Sequence, residues 1–494
     1  MNIVVLGAGT AGLIAALMLR EKFPTYTITV VKSGEIGTVG VGEGSTEHWE
    51  WFMNFVGIDH TELIHEARAT VKIGILFKDW HAGPDYVHSV SAFNITALNR
   101  PEIFHHLYLN GNNRKFPLAP HFETIFHNNL VDHNGFLKTS NQYHFDTFKL
   151  GEFLTKLCSQ RDIIFKDAIV TDVILNDGGD VSKLITKQED IEGDLFIDCS
   201  GFKRVLSSKL GNKWISKTDY LPLNRAIAFP TEHTDSDNIE PYTTSTALSS
   251  GWAWKIPTQE RYGNGYVFNT NYVDSDKALA EISHALGKKV EKFARDIPFE
   301  AGKVDKFWLK NVISVGLAGS FAEPLEAQSI GFTIIQSQAI LDYLDIWPHN
   351  KNITNKFNED MDDVFSNIID HLQLHYLGGR DDTKFWQDKP FVLTEFNREN
   401  LPLYKRGIIS PTWFRDNFMF KVANFYQVTA GLGMIDKDVL KESLNLNRQS
   451  YNIKQSENCS EIFKRVNGQF VIKHSDYLKQ VNFNYLHRKK LNES

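Results

Sequence analysis

Apolar runs and glycine-rich turns alternate at the start of the chain. Ile3 to Leu6 is apolar on both faces, a pattern that predicts a buried parallel strand. The chain then passes through the spacing Gly7-x-Gly9-x-x-Gly12 into an Ala- and Leu-rich stretch that predicts a helix. Strand, glycine turn and helix in this order are the fingerprint of a dinucleotide-binding fold. The alternative is a glycine-rich turn that binds no ligand.

Each glycine of this turn has a predicted task. Gly7 permits the tight turn, Gly9 lets the backbone approach a pyrophosphate, and Gly12 permits close packing of the helix on the strand. The N–H groups at the helix N-terminus would then face the phosphates. An acidic residue that holds the ribose normally follows the second strand, but Thr27 to Val31 is followed here by lysine and serine. Another group must therefore hold the ribose.

A second glycine cluster lies at Thr38 to Thr46, where Gly40, Gly42 and Gly44 alternate with other residues. Alternating glycines let the backbone lie close to a flat ligand. The cluster lacks the lysine of a phosphate-binding Walker loop. It therefore suits a loop that lies along an isoalloxazine ring or a ribityl chain.

The segment Ala69 to Trp80 alternates like one strand. Val71, Ile73, Ile75 and Phe77 form an apolar face that is expected to pack on the core, and Lys72 lies on the opposite, mixed face. A lysine there points either to solvent or into a cavity. Periodicity alone favours solvent.

Two further strands end in glycine turns. Asp194 to Asp198 leads to Gly201, and Asn311 to Val315 leads to Gly316 before a helix. Three such turns are typical of a flavoprotein of the glutathione-reductase type. We expect an FAD-binding lobe over residues 1–345, with an inserted sheet region at about 81–140 and 215–300, and a C-terminal helical lobe over 346–494.

Helical periodicity dominates the C-terminal third. Phe357 to His375 predicts one long amphipathic helix, and residues 411–432 and 455–490 also predict helices. His371 and His375 have the i, i+4 spacing of a metal pair. Since no glutamate lies between them, a packed or solvated helix face is the better interpretation, and no metal is expected.

Composition narrows the class of protein. The 494 residues are 42% hydrophobic, enough for a large core, and the net charge of −7 argues against nucleic acid as a partner. No apolar run reaches the roughly 18 residues of a membrane span. The three cysteines are unclustered, which predicts neither a disulfide framework nor a zinc site. A cytoplasmic protein is expected.

Together these stretches resemble the flavin-dependent tryptophan halogenases over nearly the whole chain. The matching motifs are Gly7-Ala-Gly-Thr-Ala-Gly12, Val39-Gly-Val-Gly-Glu43, Lys72 in its strand, Phe196-Ile-Asp-Cys-Ser-Gly-Phe202, Trp252-Ala-Trp-Lys-Ile-Pro257, Phe321-Ala-Glu-Pro-Leu-Glu326 and Ala430-Gly-Leu-Gly433. The Trp-x-Trp-x-Ile-Pro signature separates this family from ordinary flavin monooxygenases.

The resemblance implies a reaction in which reduced FAD, O₂ and a halide ion give hypohalous acid. This acid travels through an internal tunnel to a lysine beside an aromatic substrate. The matching catalytic positions are Lys72 and Glu326. An amine can accept or orient the positive halogen, and a carboxylate can polarise hypohalous acid or take the arenium proton. Given the resemblance, Lys72 is expected to point into a cavity and not to solvent.

The resemblance also implies the remaining site residues. Contacts with FAD are expected from Gly7, Gly9, Thr10, Ala11, Gly12, Ser33, Ile36, Val39, Gly42, Val170, Leu317 and Ile330. The halide is expected at the backbone N–H groups of Gln328 and Ser329. The substrate pocket is expected to contain His88, Trp252, Trp254 and Phe420. The two tryptophans would form a wall between substrate and flavin, or simply pack in the core, and both roles are compatible.

Two departures from the family pattern affect the ligands. The motif Phe-x-x-Pro-x-x-Ser-x-Gly ends here in Ala327 and Ser329, which leaves the backbone donors but changes the cavity. The halide, whether chloride, bromide or iodide, therefore stays open. The tyrosine-rich acidic insert that grips free tryptophan is missing, since Lys405 to Asp416 runs straight into the next helix. An indole or another electron-rich arene is favoured over free tryptophan.

The sequence thus predicts an α/β, Rossmann-like FAD-binding fold of the glutathione-reductase type, with an inserted β-sheet region and a C-terminal helical lobe. The predicted function is that of a two-component, FADH₂-dependent halogenase of a small aromatic substrate. Since no second nucleotide fingerprint is evident, a separate NAD(P)H flavin reductase is the expected partner, and a homo-oligomer is compatible with the sequence. The alternatives are an aromatic hydroxylase that uses no halide and a flavin-binding protein without catalysis.

Overall fold

The computed structural model describes residues 1–35, 42–89, 105, 108–109, 122–132, 142–447 and 471–493. Two compact units divide the chain, and each is built from three separate segments. The first unit contains Met1–Ala69, Phe145–Thr218 and Glu300–Phe365, and the second contains Thr70–His144, Asp219–Phe299 and Ser366–Ser494. Among the described residues, no helix has the length and apolar character needed to cross a membrane.

A six-stranded sheet forms the core of the first unit. Its strands lie in the order Trp308–Leu309, Val312–Ser314, Leu195–Asp198, Asn2–Leu6, Thr27–Lys32 and Ile164–Asp167. All neighbours are parallel except the first pair. Strands inside a parallel sheet are covered on both faces, which explains the unbroken apolar run of the first strand. The predicted Rossmann-like α/β fold is confirmed.

Helices and two small sheets complete the first unit. The helix Thr10–Lys22 is buried along most of its length because it packs against both Thr147–Ser159 and Gln328–Leu344. The other helices are His48–Val56, His60–Glu66, Val205–Lys209 and the first part of Ile353–Leu374. The small sheets are Val170–Leu175 with Val181–Thr186 and Asp190–Glu192, and Trp214–Ser216 with Gly302–Val304 and Ser320–Phe321. A two-residue strand spans Glu43–Gly44, and 3₁₀ turns span Gly201–Lys203, Gly316–Ala318 and Leu325–Ala327.

A seven-stranded sheet organises the second unit. Its order is Arg295–Pro298, Arg225–Thr231, Tyr262–Phe268, Gly251–Pro257, Tyr242–Leu248, Gly74–Lys78 and Tyr86–Ser89. Every pair is antiparallel except Tyr242–Leu248 with Gly74–Lys78. The helix Ser275–Ala285 packs on this sheet through Ala278 and Ile282. Residues 215–300 are rich in strands, as predicted, whereas much of the segment 81–140 lies outside the described residues.

Short strand pairs and helices make up the rest of the second unit. Thr70–Lys72 pairs with Gln142–Phe145, and Leu130–Asp132 pairs with Val471–Lys473. The helices are Phe122–His127, the last part of Ile353–Leu374, Lys384–Asp388, Glu395–Lys405, Val422–Gly431, Lys437–Asn447 and His474–Glu493. Two 3₁₀ turns span His375–Leu377 and Pro411–Trp413.

Several element boundaries differ from the prediction. The segment 69–80 is not one strand: Thr70–Lys72 and Gly74–Lys78 belong to different sheets. Ile73 separates them, and its N–H donates to the carbonyl oxygen of Pro241. Alternation continues through this break, so periodicity could not reveal the change of partner. Likewise, residues 163–173 form two strands in two sheets, and the helix expected from 411 begins only at Val422. The helix expected over 455–490 begins only at His474, after the strand Val471–Lys473, and residues 455–470 lie outside the described part of the chain.

Candidate active site

The three predicted strand-to-glycine turns meet in the first unit. Gly7, Gly201 and Gly316 all have positive φ angles, of 114°, 68° and 63°. A Cβ atom on Gly7 would lie 2.3 Å from the carbonyl oxygen of Cys199, in the second turn. A Cβ atom on Gly316 would lie 2.6 Å from the Cβ of Ala11, in the first. The ends of three sheet strands therefore form one continuous loop cluster, the place where open α/β folds bind ligands.

Gly9 and Gly12 play opposite parts in the first turn. A Cβ atom on Gly12 would lie 1.9 Å from the carbonyl oxygen of Gly7, so this glycine is required for the fold itself. A Cβ atom on Gly9 would meet nothing within 4 Å, so the backbone there borders open space. The helix Thr10–Lys22 starts at this point and directs its first N–H groups outward. The turn is therefore suited to a diphosphate group.

An acidic residue that the sequence reading missed lies beside the end of the second strand. Asp167 is the register partner of Lys32, and its Oδ1 accepts a hydrogen bond of 3.2 Å from the N–H of Gly34. The neighbouring strand thus brings a carboxylate to the region where the fingerprint normally places one. Only the pairing of Thr27–Lys32 with Ile164–Asp167, which sequence spacing does not reveal, could have identified this residue.

The remaining described residues that are predicted to contact FAD all belong to the first unit. Ser33 and Gly42 are half-buried, Leu317 lies in the third glycine turn, and Ile330 is buried in the first turn of Gln328–Leu344. Val170 starts the first strand of a small sheet. Ile36 and Val39 lie outside the described residues. Contact of these residues with FAD stays a prediction.

Glu326 lies in an unusual stretch of backbone before the helix Gln328–Leu344. Glu326 and Ala327 are consecutive non-glycine residues with φ angles of 64° and 55°. Such left-handed residues cost about 1–2 kcal/mol each, so the surrounding structure must hold them in place. Glu326 is buried, as is the nearby Glu323, whose carbonyl oxygen accepts a hydrogen bond of 3.1 Å from Nε2 of Gln328. The turn therefore holds the Glu326 carboxyl group out of bulk water on a rigid support.

The predicted halide residues lie at the end of the same turn. Ala327 is left-handed and Gln328 is right-handed, with φ −73° and ψ −22°. A change of hand between successive residues turns their backbone N–H groups towards one side, a geometry that binds anions. Gln328 is buried and Ser329 is half-buried. The local backbone is therefore compatible with an anion at these two residues.

Lys72 lies in the second unit and is completely buried, with 0% of its surface exposed. It ends the short strand Thr70–Lys72, where it is the register partner of Gln142. Burial of an ammonium group is expensive without polar partners, and so the lysine is not a solvated surface residue. This burial contradicts the solvent-facing alternative, and a cavity beside Lys72 stays a prediction.

A buried hydrogen-bond chain adjoins the Lys72 strand. The hydroxyl of Thr70 donates to the carbonyl oxygen of Pro257 at 2.7 Å, so it must accept from Nδ1 of His144 at 3.2 Å. Nε2 of His144 then accepts from the hydroxyl of Thr243 at 2.9 Å. Burial, together with the charge of Lys72, lowers the pKa of His144 well below its ordinary value. The imidazole is therefore neutral and has one defined tautomer.

The four predicted substrate-pocket residues belong to one aromatic cluster in the second unit. His88 and Phe420 both contact the ring of His371, with centroid distances of 5.7 and 4.0 Å. Trp252 lies 6.1 Å from Trp254. The two groups are joined through further ring contacts, Trp252 with Trp80, Trp80 with His375, and His375 with His371. His371 and His375 are buried, as expected of a packed helix face.

Trp254 occupies a special position in this cluster. Its register partner is Gly265, and a Cβ atom on Gly265 would lie 2.1 Å from the Trp254 ring. The indole therefore lies directly over the glycine. Trp254 is half-buried, and its Nε1 is buried without a hydrogen-bond partner among the described residues. Both the packing role and the wall role are compatible with this placement.

The chain is similar to known halogenases both in sequence and in fold. A family model described as tryptophan halogenase matches residues 2–445. The chain is 31% identical over 419 residues to the tryptophan 6-halogenase SttH of Streptomyces toxytricini, with 78% of this chain and 80% of that protein covered. It is 28% identical over 478 residues to the tryptophan 7-halogenase RebH of Lentzea aerocolonigenes, with 88% and 90% covered.

Solved structures show the same architecture. The chain matches Tar14, described as a tryptophan C-6 flavin-dependent halogenase from taromycin biosynthesis, with a TM-score of 0.88, 24% identity, and coverage of 97% of this chain and 99% of that one. At this identity the match supports the fold alone. It also matches BrvH, a flavin-dependent halogenase from Brevundimonas sp. BAL3, with a TM-score of 0.81, 26% identity, and coverage of 97% and 99%.

Proposed function

The chain belongs to the tryptophan halogenase family of flavin-dependent enzymes, and we propose that it halogenates a small electron-rich arene such as indole. The first reaction consumes FADH₂, O₂, a halide ion and a proton, and yields FAD, water and hypohalous acid. In the second reaction hypohalous acid and the arene give the haloarene and a second water. Residues of the first unit would bind the flavin and the halide ion, and residues of the second unit would hold the arene.

The observation that supports this proposal most strongly is the complete burial of Lys72. A lysine that has no functional role is rarely buried, because the desolvation of its ammonium group is costly. In the proposed reaction the Lys72 amine holds or accepts the electrophilic halogen and directs it to one carbon of the arene. A lysine buried in a strand with few degrees of freedom is suited to that task.

Glu326 is proposed as the acid–base partner of the second reaction. Its carboxyl group is buried, and its left-handed backbone is held between Pro324 and the helix Gln328–Leu344. The carboxylate would polarise hypohalous acid or remove the proton from the arenium ion. Removal of that proton restores aromaticity and completes the substitution.

The first unit offers a fitting site for FAD. The open space at Gly9 and the start of the helix Thr10–Lys22 suit the diphosphate. We propose that Asp167 holds the ribose in place of the missing acidic residue after the second strand. Bound in its reduced form, FADH₂, the flavin would supply two of the four electrons that reduce O₂, and the halide ion would supply the other two. Gln328 and Ser329 would hold the halide ion through their backbone N–H groups.

The substrate is proposed to be an arene without a charged amino acid group. The aromatic cluster offers ring faces on which an arene can stack. Nε2 of His88, in this cluster, lies 3.3 Å from Nδ2 of Asn424, and the two side chains are the neighbouring polar groups. The absence of the tyrosine-rich insert from the sequence supports an indole or another electron-rich arene over free tryptophan. The family implies a flavin reductase as a partner, and we propose that it is a separate NAD(P)H-dependent enzyme.

A reconstituted assay tests the proposal. Purified protein is supplied with FAD, a flavin reductase, NADH, air, sodium bromide and indole, and products are identified by mass spectrometry. The account predicts monobromoindole, with the paired isotope peaks of bromine, in reactions that also contain a scavenger of free hypobromous acid. Hydroxyindole in place of bromoindole would support the hydroxylase alternative, and the absence of any indole product would support a non-catalytic flavin protein.

A further inference from the structure

The backbone on either side of Lys72 is fixed from outside its own strand. The N–H of Ile73, the next residue, donates to the carbonyl oxygen of Pro241 at 2.7 Å. The N–H of Val71, the preceding residue, donates to Nε2 of His474 at 3.1 Å. Two bonds therefore hold the backbone N–H groups of the residues before and after the lysine, and one of them depends on the side chain of His474.

His474 is the first residue of the helix His474–Glu493 and has 0% exposure. Its second ring nitrogen, Nδ1, lies 3.1 Å from the carbonyl oxygen of Ile239. A carbonyl oxygen only accepts, so Nδ1 must bear the proton. Nε2 is then free of a proton and can accept from Val71. The two contacts together require the neutral Nδ1–H tautomer.

Ionisation of this imidazole would break the bond to Val71, because a proton on Nε2 would face the backbone N–H. Burial lowers the pKa of His474 to about 4, although the bond to Ile239 and the charge of Glu240 act in the opposite direction. The imidazole therefore stays neutral through the range in which an enzyme of this kind works. Lys72 and His144 are the other titratable groups that interact in this cluster.

The helix start is itself firmly held. The N–H of His474 donates to the carbonyl oxygen of Asn129 at 2.9 Å, and the hydroxyl of Ser475 donates to the carbonyl oxygen of Asp237 at 2.7 Å. The segment 237–241 therefore contacts the helix through Asp237 and Ile239, and the Lys72 segment through Pro241. His474 bridges these two parts of the second unit directly.

We propose that His474 is a positioning residue for halogenation: it holds the strand of Lys72 through the Val71 N–H and so fixes where the ammonium group lies. This inference depends on the proposed role of Lys72. The family model ends at residue 445, so the matched family region does not include this histidine. The expected consequence of its loss is a lysine that no longer holds the electrophilic halogen at the arene, with hypohalous acid escaping to solvent.

Two substitutions separate the two hydrogen bonds of His474. In His474→Gln the longer side chain places an amide oxygen near the position of Nε2 and keeps an acceptor for Val71. In His474→Asn the amide reaches the position of Nδ1 and keeps the bond to Ile239, but it is too short for Val71. Ser475→Ala removes a neighbouring hydrogen bond at the same helix start and is the matched control.

The measured quantity is the coupling ratio, bromoindole formed per NADH consumed, with free hypobromous acid trapped by a chlorodimedone reagent. We expect His474→Asn to lower the ratio about tenfold or more and to raise trapped hypobromous acid, while NADH consumption is unchanged. We expect His474→Gln and Ser475→Ala to keep most of the wild-type ratio. Hydrogen–deuterium exchange of residues 70–73 should be faster in His474→Asn only.

The possible outcomes distinguish this inference from the proposed function. If His474→Asn exchanges faster at residues 70–73 but couples like the wild type, His474 is merely structural and the inference is wrong. Equal loss of coupling in His474→Asn and His474→Gln would also contradict it, because the acceptor for Val71 would then not matter. If Lys72→Met retains full bromoindole formation, the proposed function of the lysine fails instead.

Discussion

The backbone N–H of Val71 donates to the imidazole of His474, which is 403 residues further along the chain. The bond joins the strand of Lys72 to the start of the helix His474–Glu493. It is buried and requires a neutral imidazole. The stability of the protein should therefore respond to the protonation of this one group.

The first prediction concerns acid stability. An unfolded histidine takes up its proton near pH 6.5, whereas the folded protein protonates His474 only near a pKa of about 4. Because the folded pKa is the lower one, the free energy of unfolding falls as the pH falls from about 6.5 to about 4, by at most about 3 kcal/mol. Urea denaturation at several pH values measures this slope. His474→Gln should make it shallower, and His487→Gln, at an exposed position on the same helix, should not.

The second prediction contrasts two glycines of the fingerprint turn. Gly9→Ala should leave the melting temperature unchanged, because the new methyl group meets nothing within 4 Å. It should raise the Kd for FAD about tenfold or more, because the methyl group occupies the space of the diphosphate. Gly12→Ala should destabilise the fold by about 1–3 kcal/mol or more, because its methyl group would lie 1.9 Å from a carbonyl oxygen. Calorimetry measures the stability and flavin fluorescence titration measures the Kd for FAD. If Gly9→Ala and Gly12→Ala both bind FAD as tightly as the wild type, the assigned diphosphate site is wrong.

The third prediction concerns Asp167. If its carboxylate holds the ribose, Asp167→Asn should raise the Kd for FAD about two- to tenfold and leave the melting temperature nearly unchanged. Asp177→Asn, in the exposed turn after Val170–Leu175, is the control. Equal affinity of both variants and the wild type for FAD would mean that another group holds the ribose.

The fourth prediction concerns the glycine beneath Trp254. Gly265→Ala should destabilise the second unit by about 1–3 kcal/mol, because the indole lies where the methyl group would be. It should also change the ratio of bromoindole isomers, since Trp254 belongs to the aromatic cluster. Gly151→Ala, within the helix Thr147–Ser159 and without close neighbours, should raise stability by about 0.5–1 kcal/mol. If the ratio of bromoindole isomers is unchanged in Gly265→Ala, Trp254 does not help to orient the substrate.

Much of the first unit was predictable because its signals are local. The strand, the glycine turn and the helix of residues 3–22 each follow from neighbouring residues. The glycines at 201 and 316 identified the other two turns, and all three have the positive φ angles that glycine allows. The pairing of these strands then follows from the general rules of parallel sheets.

The second unit was less predictable because its contacts are distant in sequence. The burial of Lys72 could not be decided from alternation, since a solvent face and a cavity face look alike in a strand. The change of partner at Ile73 is invisible to periodicity for the same reason. The contact of His474 with Val71 joins residues far apart in sequence, and so does the pairing that places Asp167 beside Lys32 in the first unit; no local motif encodes either. Gly265 was overlooked because its importance depends on the ring across the strand.

Comparison of Lys72→Met with the wild type tests the central claim most directly. Methionine has a similar length, suits a buried site and removes the charge, so the fold should be retained. Lys78→Met, at the end of the next strand along the chain, is the control. In the bromide and indole assay the account predicts that Lys72→Met binds FAD and consumes NADH like the wild type, yet forms bromoindole about a hundredfold more slowly. Bromoindole formation by Lys72→Met at the wild-type rate would contradict the account.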